Sequence, residues 1–215
     1  MKSEPVLSCT ECKGNNCYRR DGKYPDFCLT VNLSEEEIKK VRQIYADEEN
    51  RRIMQTAAFI EGKYYGQLTR VEETIKFARK MGMNKIGIAA CIGLINEARI
   101  FARIVRAKGL NPYCVVCKVG SVDKCDFGLQ EEMKLKPYQF EAACNPILQA
   151  EALNRENTEL NVVIGLCVGH DILFNKYSKA PVTTLITKDR VLAHNPTAAL
   201  YTVNSYYKKL LEEDK

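Results

Sequence analysis

The chain has 215 residues, 46% hydrophobic and 27% charged, with a formal net charge of +5. That length supports one ample core, or a small module beside one domain. The charges are interspersed and form no basic stripe interleaved with aromatics, which excludes nucleic acid as an expected partner. The longest apolar run, 86–95, is about half of a membrane span, and residues 1–8 hold no apolar stretch of the signal-peptide kind. The expected compartment is therefore cytoplasmic and reducing. There, ten cysteines favour metal or catalytic roles over disulfides. A secreted disulfide framework is the rival reading and would need an export signal.

In chain order, residues 1–33 read as a cysteine-rich loop. Cys9, Cys12, Cys17 and Cys28 are spaced C-x2-C-x4-C-x10-C in polar sequence, with Gly14, Gly22 and Pro25 to double the chain back. Four thiolates able to converge on one point are what a metal centre needs. Ser34 before Glu35, Glu36 and Glu37 is a helix start, and Ile38, Val41, Ile44 and Tyr45 continue at helical spacing. A second helix is expected over 50–60 and a third from Thr69 to the stop at Gly82. This helical segment, 34–83, is expected to pack on the main domain.

Residues 84–215 alternate strands and helices. Strands are expected over 86–90, 113–118, 160–166 and 182–187, with a final one over 190–194. Helices are expected over 96–108, from Asn145-Pro146, over 170–177, and from Asn195-Pro196 to about residue 211. The pattern predicts an α/β fold with a mostly parallel, doubly wound, Rossmann-like sheet covered on both faces.

In such a sheet, ligands bind outside the carboxyl ends of the strands. Cys91, Cys117 and Cys167 fall at or near three of those ends, and Cys144 precedes a capped helix. The first and third strands share a Cys-x-Gly ending, Cys91-Ile92-Gly93 and Cys167-Val168-Gly169. Cys91, Cys117, Cys144 and Cys167 are therefore expected to line a second site, with Cys125 and His170 as substitute ligand or proton donor. Cys91, Cys114 or Cys125 could equally fill the core as a small hydrophobe, whereas Cys144 and Cys167, at helix starts, favour the functional role. Cys114 and Cys117, three apart on one expected strand, should point to opposite faces. Glu131 and Glu132 read as surface residues. Neither G-x-G-x-x-G nor a Walker pattern is present, so no nucleotide is implied.

The N-terminal spacing resembles the cluster loops of carbon monoxide dehydrogenase and of the corrinoid iron–sulfur protein. That resemblance implies a four-iron (4Fe-4S) cluster, and zinc is the alternative for an all-thiolate site. A wider resemblance covers nearly the whole chain. It runs through Cys9-Thr-Glu-Cys12, Leu68-Thr-Arg-Val-Glu72, Ile86-Gly-Ile-Ala-Ala-Cys91-Ile-Gly-Leu94 and Cys117-Lys-Val-Gly120. It continues through Cys144-Asn-Pro-Ile147, Gly165-Leu-Cys-Val-Gly-His-Asp171, Lys176-Tyr-Ser-Lys-Ala-Pro-Val182 and Lys188-Asp-Arg-Val-Leu192. On these segments the chain is similar to a family of uncharacterised cysteine-rich proteins common in anaerobic bacteria and archaea. The resemblance implies metal binding and names no reaction.

Three functions follow as expectations. One is an iron–sulfur protein with two centres, acting on a small molecule or redox partner. The second is a zinc-stabilised α/β binding protein, and the third is metal-free thiol catalysis by Cys144 or Cys167.

Overall fold

Three capping boxes set where the chain turns helical. Ser8 with Glu11, Ser34 with Glu37, and Thr69 with Glu72 each exchange side-chain and backbone hydrogen bonds across one turn. The computed structural model describes residues 6–20 and 22–213; residues 1–5 of the expected leaderless start lie outside it. The chain forms two compact units, Met1–Ala58 and Phe59–Lys215.

In the first unit, two short helices, α1 (Asn16–Arg19) and α2 (Leu29–Asn32), punctuate the cysteine loop. Helix α3 (Glu35–Ile44) follows the Ser34 cap, and α4 (Glu48–Tyr64), which contains the next expected helix, runs from the first unit into the second. Among the described residues from Val6 to Gln55, none is buried.

The second unit opens with α5 (Arg70–Lys80) and continues through β1 (Lys85–Ala90), α6 (Ile95–Ala107) and β2 (Asn111–Val116). Then come α7 (Pro146–Arg155), β3 (Leu160–Ile164), α8 (His170–Tyr177), β4 (Val182–Ile186) and the short α9 (Thr197–Tyr201). The sheet has the order β2-β1-β3-β4, and every pairing is parallel. Side-chain alternation sends Ile86, Ile88 and Ala90 to one face, where they pack with Ile75, Ala98 and Phe101. Ala89 and Val163 face the opposite layer with Leu153 and Phe174. All five β3 residues are buried, as expected of a central parallel strand covered on both sides. Asn161, fully buried there, is satisfied by Thr158 Oγ1 donating to its Oδ1 (2.8 Å) and by its own Nδ2 donating to Ser178 Oγ (2.7 Å).

Two expected elements do not form. Residues 190–194 make turns instead of a strand: Asp189 Oδ1 accepts from the N–H groups of Val191 and Leu192. Ala193 and His194 there hold φ of 50° and 66°, which a strand does not accommodate. The C-terminal helix stops at Tyr201, and a single 3-10 turn, Lys208–Leu211, lies beyond. Thr202, Val203, Asn204 and Ser205 are weak helix formers, and the Thr202 hydroxyl turns back onto the Ala198 carbonyl at 2.7 Å.

Candidate functional site

The strand order fixes where a site can form. From β1 the chain crosses to β2 on one side, then returns to β3 on the other, so the connections diverge at the carboxyl ends of β1 and β3. This switch point leaves a crevice that helices do not close. Cys91 follows β1 directly and Cys167 lies just beyond β3. Cys117 leaves β2 on a turn, is 2% exposed, and accepts the Ile92 N–H at 3.4 Å. Because β2 ends at Val116, strict alternation no longer governs Cys117. Cys114, within β2, is exposed instead.

Backbone hydrogen bonds tie these positions to the sheet. The Cys91 N–H donates to Ile164 O at 2.9 Å, the Cys117 N–H to Ala90 O at 2.8 Å, and the Asn145 N–H to Cys117 O at 2.7 Å. Asn145 caps α7 through Leu148 N, with Pro146 in its first turn. Beneath the crevice, fully buried Gln149 uses its Nε2 to join Ala90 O and Val115 O, at 3.2 and 2.7 Å. The turn after β3 needs glycine. Gly165 has φ +65, and a Cβ there would strike Leu94 Cδ1.

The Cys117 and Cys144 sulfurs lie 3.7 Å apart and are hydrogen-bonded. That bond, then the charges of Lys118 and His170, draw the Cys144 thiol down to about 5 against the cost of its burial. Cys117 is pushed well above the ordinary thiol range by its bond to Cys144 and by burial. Lys188 Nζ donates to Cys91 Sγ at 3.5 Å, and Arg190 Nη2 to Cys167 Sγ at 3.1 Å. The guanidinium of Arg190 is held charged first by Cys167, and also by Cys91 and Cys144. Four cysteines and three cations, Lys118, Lys188 and Arg190, thus gather at one sheet edge, with His170 beside Cys144. At pH 6 an ordinary thiol is about 0.3% ionised. Cys144 is therefore expected to be the first cysteine that iodoacetamide labels at that pH, and equal labelling of all ten would contradict the thiolate assignment.

The sequence reading did not find Lys188 or Arg190. Lys188-Asp189 reads from sequence as a turn into the expected strand 190–194, and only the fold brings Lys188 and Arg190 to the cysteines. His194, the other histidine, locks this turn by accepting the Asp189 N–H on Nδ1 at 3.1 Å.

Cys125 belongs to a different cluster. Its sulfur donates to Glu131 Oε1 at 3.2 Å. One donor atom each from Asp123, Cys125 and Glu131 lies within 4.8 Å of the others, a group that could hold a metal ion. Glu131, read from sequence as a surface acid, is half-buried. The ammonium of Lys134, a residue 6% exposed, binds Asp123 Oδ1 at 2.8 Å and Glu131 Oε1 at 2.9 Å, and donates to Gln139 O at 3.2 Å. Lys134 thus already supplies a cation to the acids that would ligate a metal. Its bonds hold the Asp123 and Glu131 carboxyls low, while burial and then Glu131 raise Cys125.

Carboxylates whose folded values are lowered stabilise the fold above their unfolded range and lose that contribution as pH falls through the folded values. The connection over residues 119–143, between β2 and α7, is therefore expected to loosen below about pH 4. Lys134→Met should loosen it at neutral pH by leaving two acids unpaired. Limited proteolysis within 119–143 checks both; unchanged cleavage in each case would rule the ion cage out as the clasp.

In the first unit, Cys9 and Cys17 are exposed, Cys12 and Cys28 half-buried, and all four are free thiols. Cys9 and Cys12 flank one 3-10 turn, the Cys12 N–H donating to Cys9 O at 3.3 Å. The Cys28 N–H donates to Pro25 O at 2.8 Å, and Cys28 caps α2. The Asn16 amide donates to Lys23 O, while Gly14 and Gly22 both close on its side chain. Asn16 is thus the post around which the loop doubles back. Among the described residues, no three donor atoms from either four-cysteine set lie within 4.8 Å of one another. Within the sheet-edge set, Cys117 and Cys144 bring their sulfurs to 3.7 Å.

No helix among the described residues is long and apolar enough to cross a membrane. A family model described as a protein of unknown function (DUF1847) matches residues 28–185. That span includes Cys28 and the sheet-edge cysteines, and leaves out Cys9, Cys12, Cys17, Lys188 and Arg190. The uncharacterized protein MJ0455 of Methanocaldococcus jannaschii is 48% identical over 206 residues, 96% of this chain and 99% of that protein.

Proposed function

We propose, for a chain that belongs to the DUF1847 family of proteins of unknown function, that it is a cytoplasmic iron–sulfur protein acting in redox or sulfur chemistry. Cys9, Cys12, Cys17 and Cys28 would hold a four-iron cluster. The cysteines at the sheet edge, Cys91, Cys117, Cys144 and Cys167, would form the second, reactive site.

The observation that carries the N-terminal assignment is the absence of any buried residue among the described positions from Val6 to Gln55. A segment without apolar burial has little to offset the entropy of ordering its backbone. Metal ligation supplies that free energy in small cysteine modules. The donor set fits such a centre, since four free thiols stand on a loop closed around Asn16. At the sheet edge, the 3.7 Å sulfur separation is close to the ~3.8 Å edge of a tetrahedron with metal–sulfur bonds of about 2.3 Å. Two thiolates there could share a metal as they stand. Cys91 and Cys167 would have to leave Lys188 and Arg190 to join them.

Zinc is the second reading. It is favoured by the single turn between Cys9 and Cys12, the knuckle form of many structural zinc sites. Under that reading the α/β unit is a binding module. Iron, acid-labile sulfide and zinc, measured with an absorption spectrum on protein purified without oxygen, separate the two. Brown protein with iron and sulfide supports the cluster. Colourless protein with zinc alone overturns it.

A further inference from the structure

The sheet-edge cysteines are not equivalent. Cys91 and Cys167 each accept a hydrogen bond from a cation, whereas Cys117 and Cys144 face each other. Their backbones run side by side, joined by the bond from Asn145 N to Cys117 O. From 3.7 Å, the sulfurs need to close by roughly 1.7 Å to reach disulfide length. Rotation about the two side-chain bonds is the motion that brings them together. Cys117 is buried while Cys144 is half-exposed just ahead of the ten-residue helix α7. An incoming molecule therefore meets Cys144 first.

The rim selects what arrives. Beside the pair, Lys188 donates to Cys91 and Arg190 to Cys167. The acids in the same segments are turned to backbone: Asp171 Oδ1 accepts the Ile172 N–H, and Asp189 Oδ1 accepts those of Val191 and Leu192. The two cations nearest the sulfurs, Lys188 and Arg190, favour an anionic partner over a cationic one.

We propose that Cys117 and Cys144 are a redox-active dithiol that exchanges with small anionic disulfides, Cys144 attacking and Cys117 resolving. This rests on the reading of the sheet edge as a site of redox or sulfur chemistry, and it names the substrate class. The Cys144 thiolate attacks one sulfur of R–S–S–R. The new bond forms as the substrate bond breaks, and the electron pair leaves on RS⁻. Cys117 gives its proton to that thiolate and attacks the Cys144 sulfur, expelling the second RS⁻. The substrate disulfide is reduced to two thiols, and the protein pair is oxidised to a disulfide. A dithiol reductant restores the pair by the same exchange in reverse.

The test uses full-length protein purified without oxygen, with its iron and zinc measured before and after. It is treated with glutathione disulfide, which is anionic, and in parallel with cystamine, a cationic disulfide. Thiols are counted and peptides mapped by mass spectrometry. The expected result is a Cys117–Cys144 disulfide with metal content unchanged, and reaction with cystamine roughly 10-fold slower or worse. Cys117→Ser should retain a mixed disulfide on Cys144, and Cys144→Ser should form neither product. A stable mixed disulfide on wild-type Cys144, or oxidation that follows only on metal release, would overturn the dithiol. Equal rates with cystamine would overturn the substrate class. The wild-type peptide map decides the matter even where a serine variant does not fold. Absence of iron and sulfide overturns the cluster proposal alone, because the thiol count is read independently.

Discussion

Serine in place of Cys28 is expected to empty the proposed N-terminal centre and release the segment around it. Cys28 has two roles: its sulfur is one of four candidate ligands, and its carbonyl accepts from the N–H groups of Val31 and Asn32 at the start of α2. Serine keeps the second role and removes the first. Structural zinc contributes about 10–16 kcal/mol of apparent binding free energy in comparable modules. The described residues from Val6 to Gln55, with no buried side chain, have no reserve of that size. The variant should lose the whole metal content of this centre, and protease should cut within 6–55 while the α/β unit resists. Metal analysis and limited proteolysis read the two effects. A variant with full metal and an unchanged digest would show that the loop is held by something else.

Alanine at Gly165 is the second large effect. The residue holds φ +65, and a Cβ would run into Leu94 Cδ1, which is itself buried in the core. The left-handed backbone and the overpacking each cost about 1–3 kcal/mol, so a loss of roughly 3 kcal/mol or more in unfolding free energy is expected. Gly165 lies two residues before Cys167 and donates its N–H to Ile186 O at 2.8 Å. Relief of the clash by moving the turn would shift Cys167 away from Arg190. Denaturant unfolding with alkylation of Cys167 tests both parts. Unaltered stability would mean that Leu94 yields more readily than its packing suggests.

The α/β core was legible because its signals are local. Ile86, Ile88 and Ala90 mark a strand, Asn145-Pro146 a helix start, and the span 170–177 a helix that forms as expected. The C-terminal region was misread for a related reason. Apolar residues such as Val191, Leu192 and Val203 resemble strand or helix in a window, but Asp189 and Thr202 bond to nearby backbone and end the regular structure. The cysteines at the strand ends could be placed from sequence, since strand ends follow from the pattern. Their cationic partners could not. Lys188 is 97 residues from Cys91, and nothing local distinguishes it from the other lysines. The Asp123–Glu131–Lys134 cage was hidden likewise, because a buried lysine declares itself only through the burial that tertiary folding gives it.

The backbone bonds at the sheet edge bear on motion as well as on position. The N–H groups of Cys91 and Cys117 are donated to Ile164 O and Ala90 O, so the strand ladder continues into the two residues that carry sulfur. A turn held in this way does not breathe independently of the strands beside it. The amides of Cys91 and Cys117 should therefore exchange with deuterium as slowly as those of β1 and β3, although the crevice lies at the molecular surface. Reagents would then meet sulfurs carried on a fixed backbone, with no loop to close first.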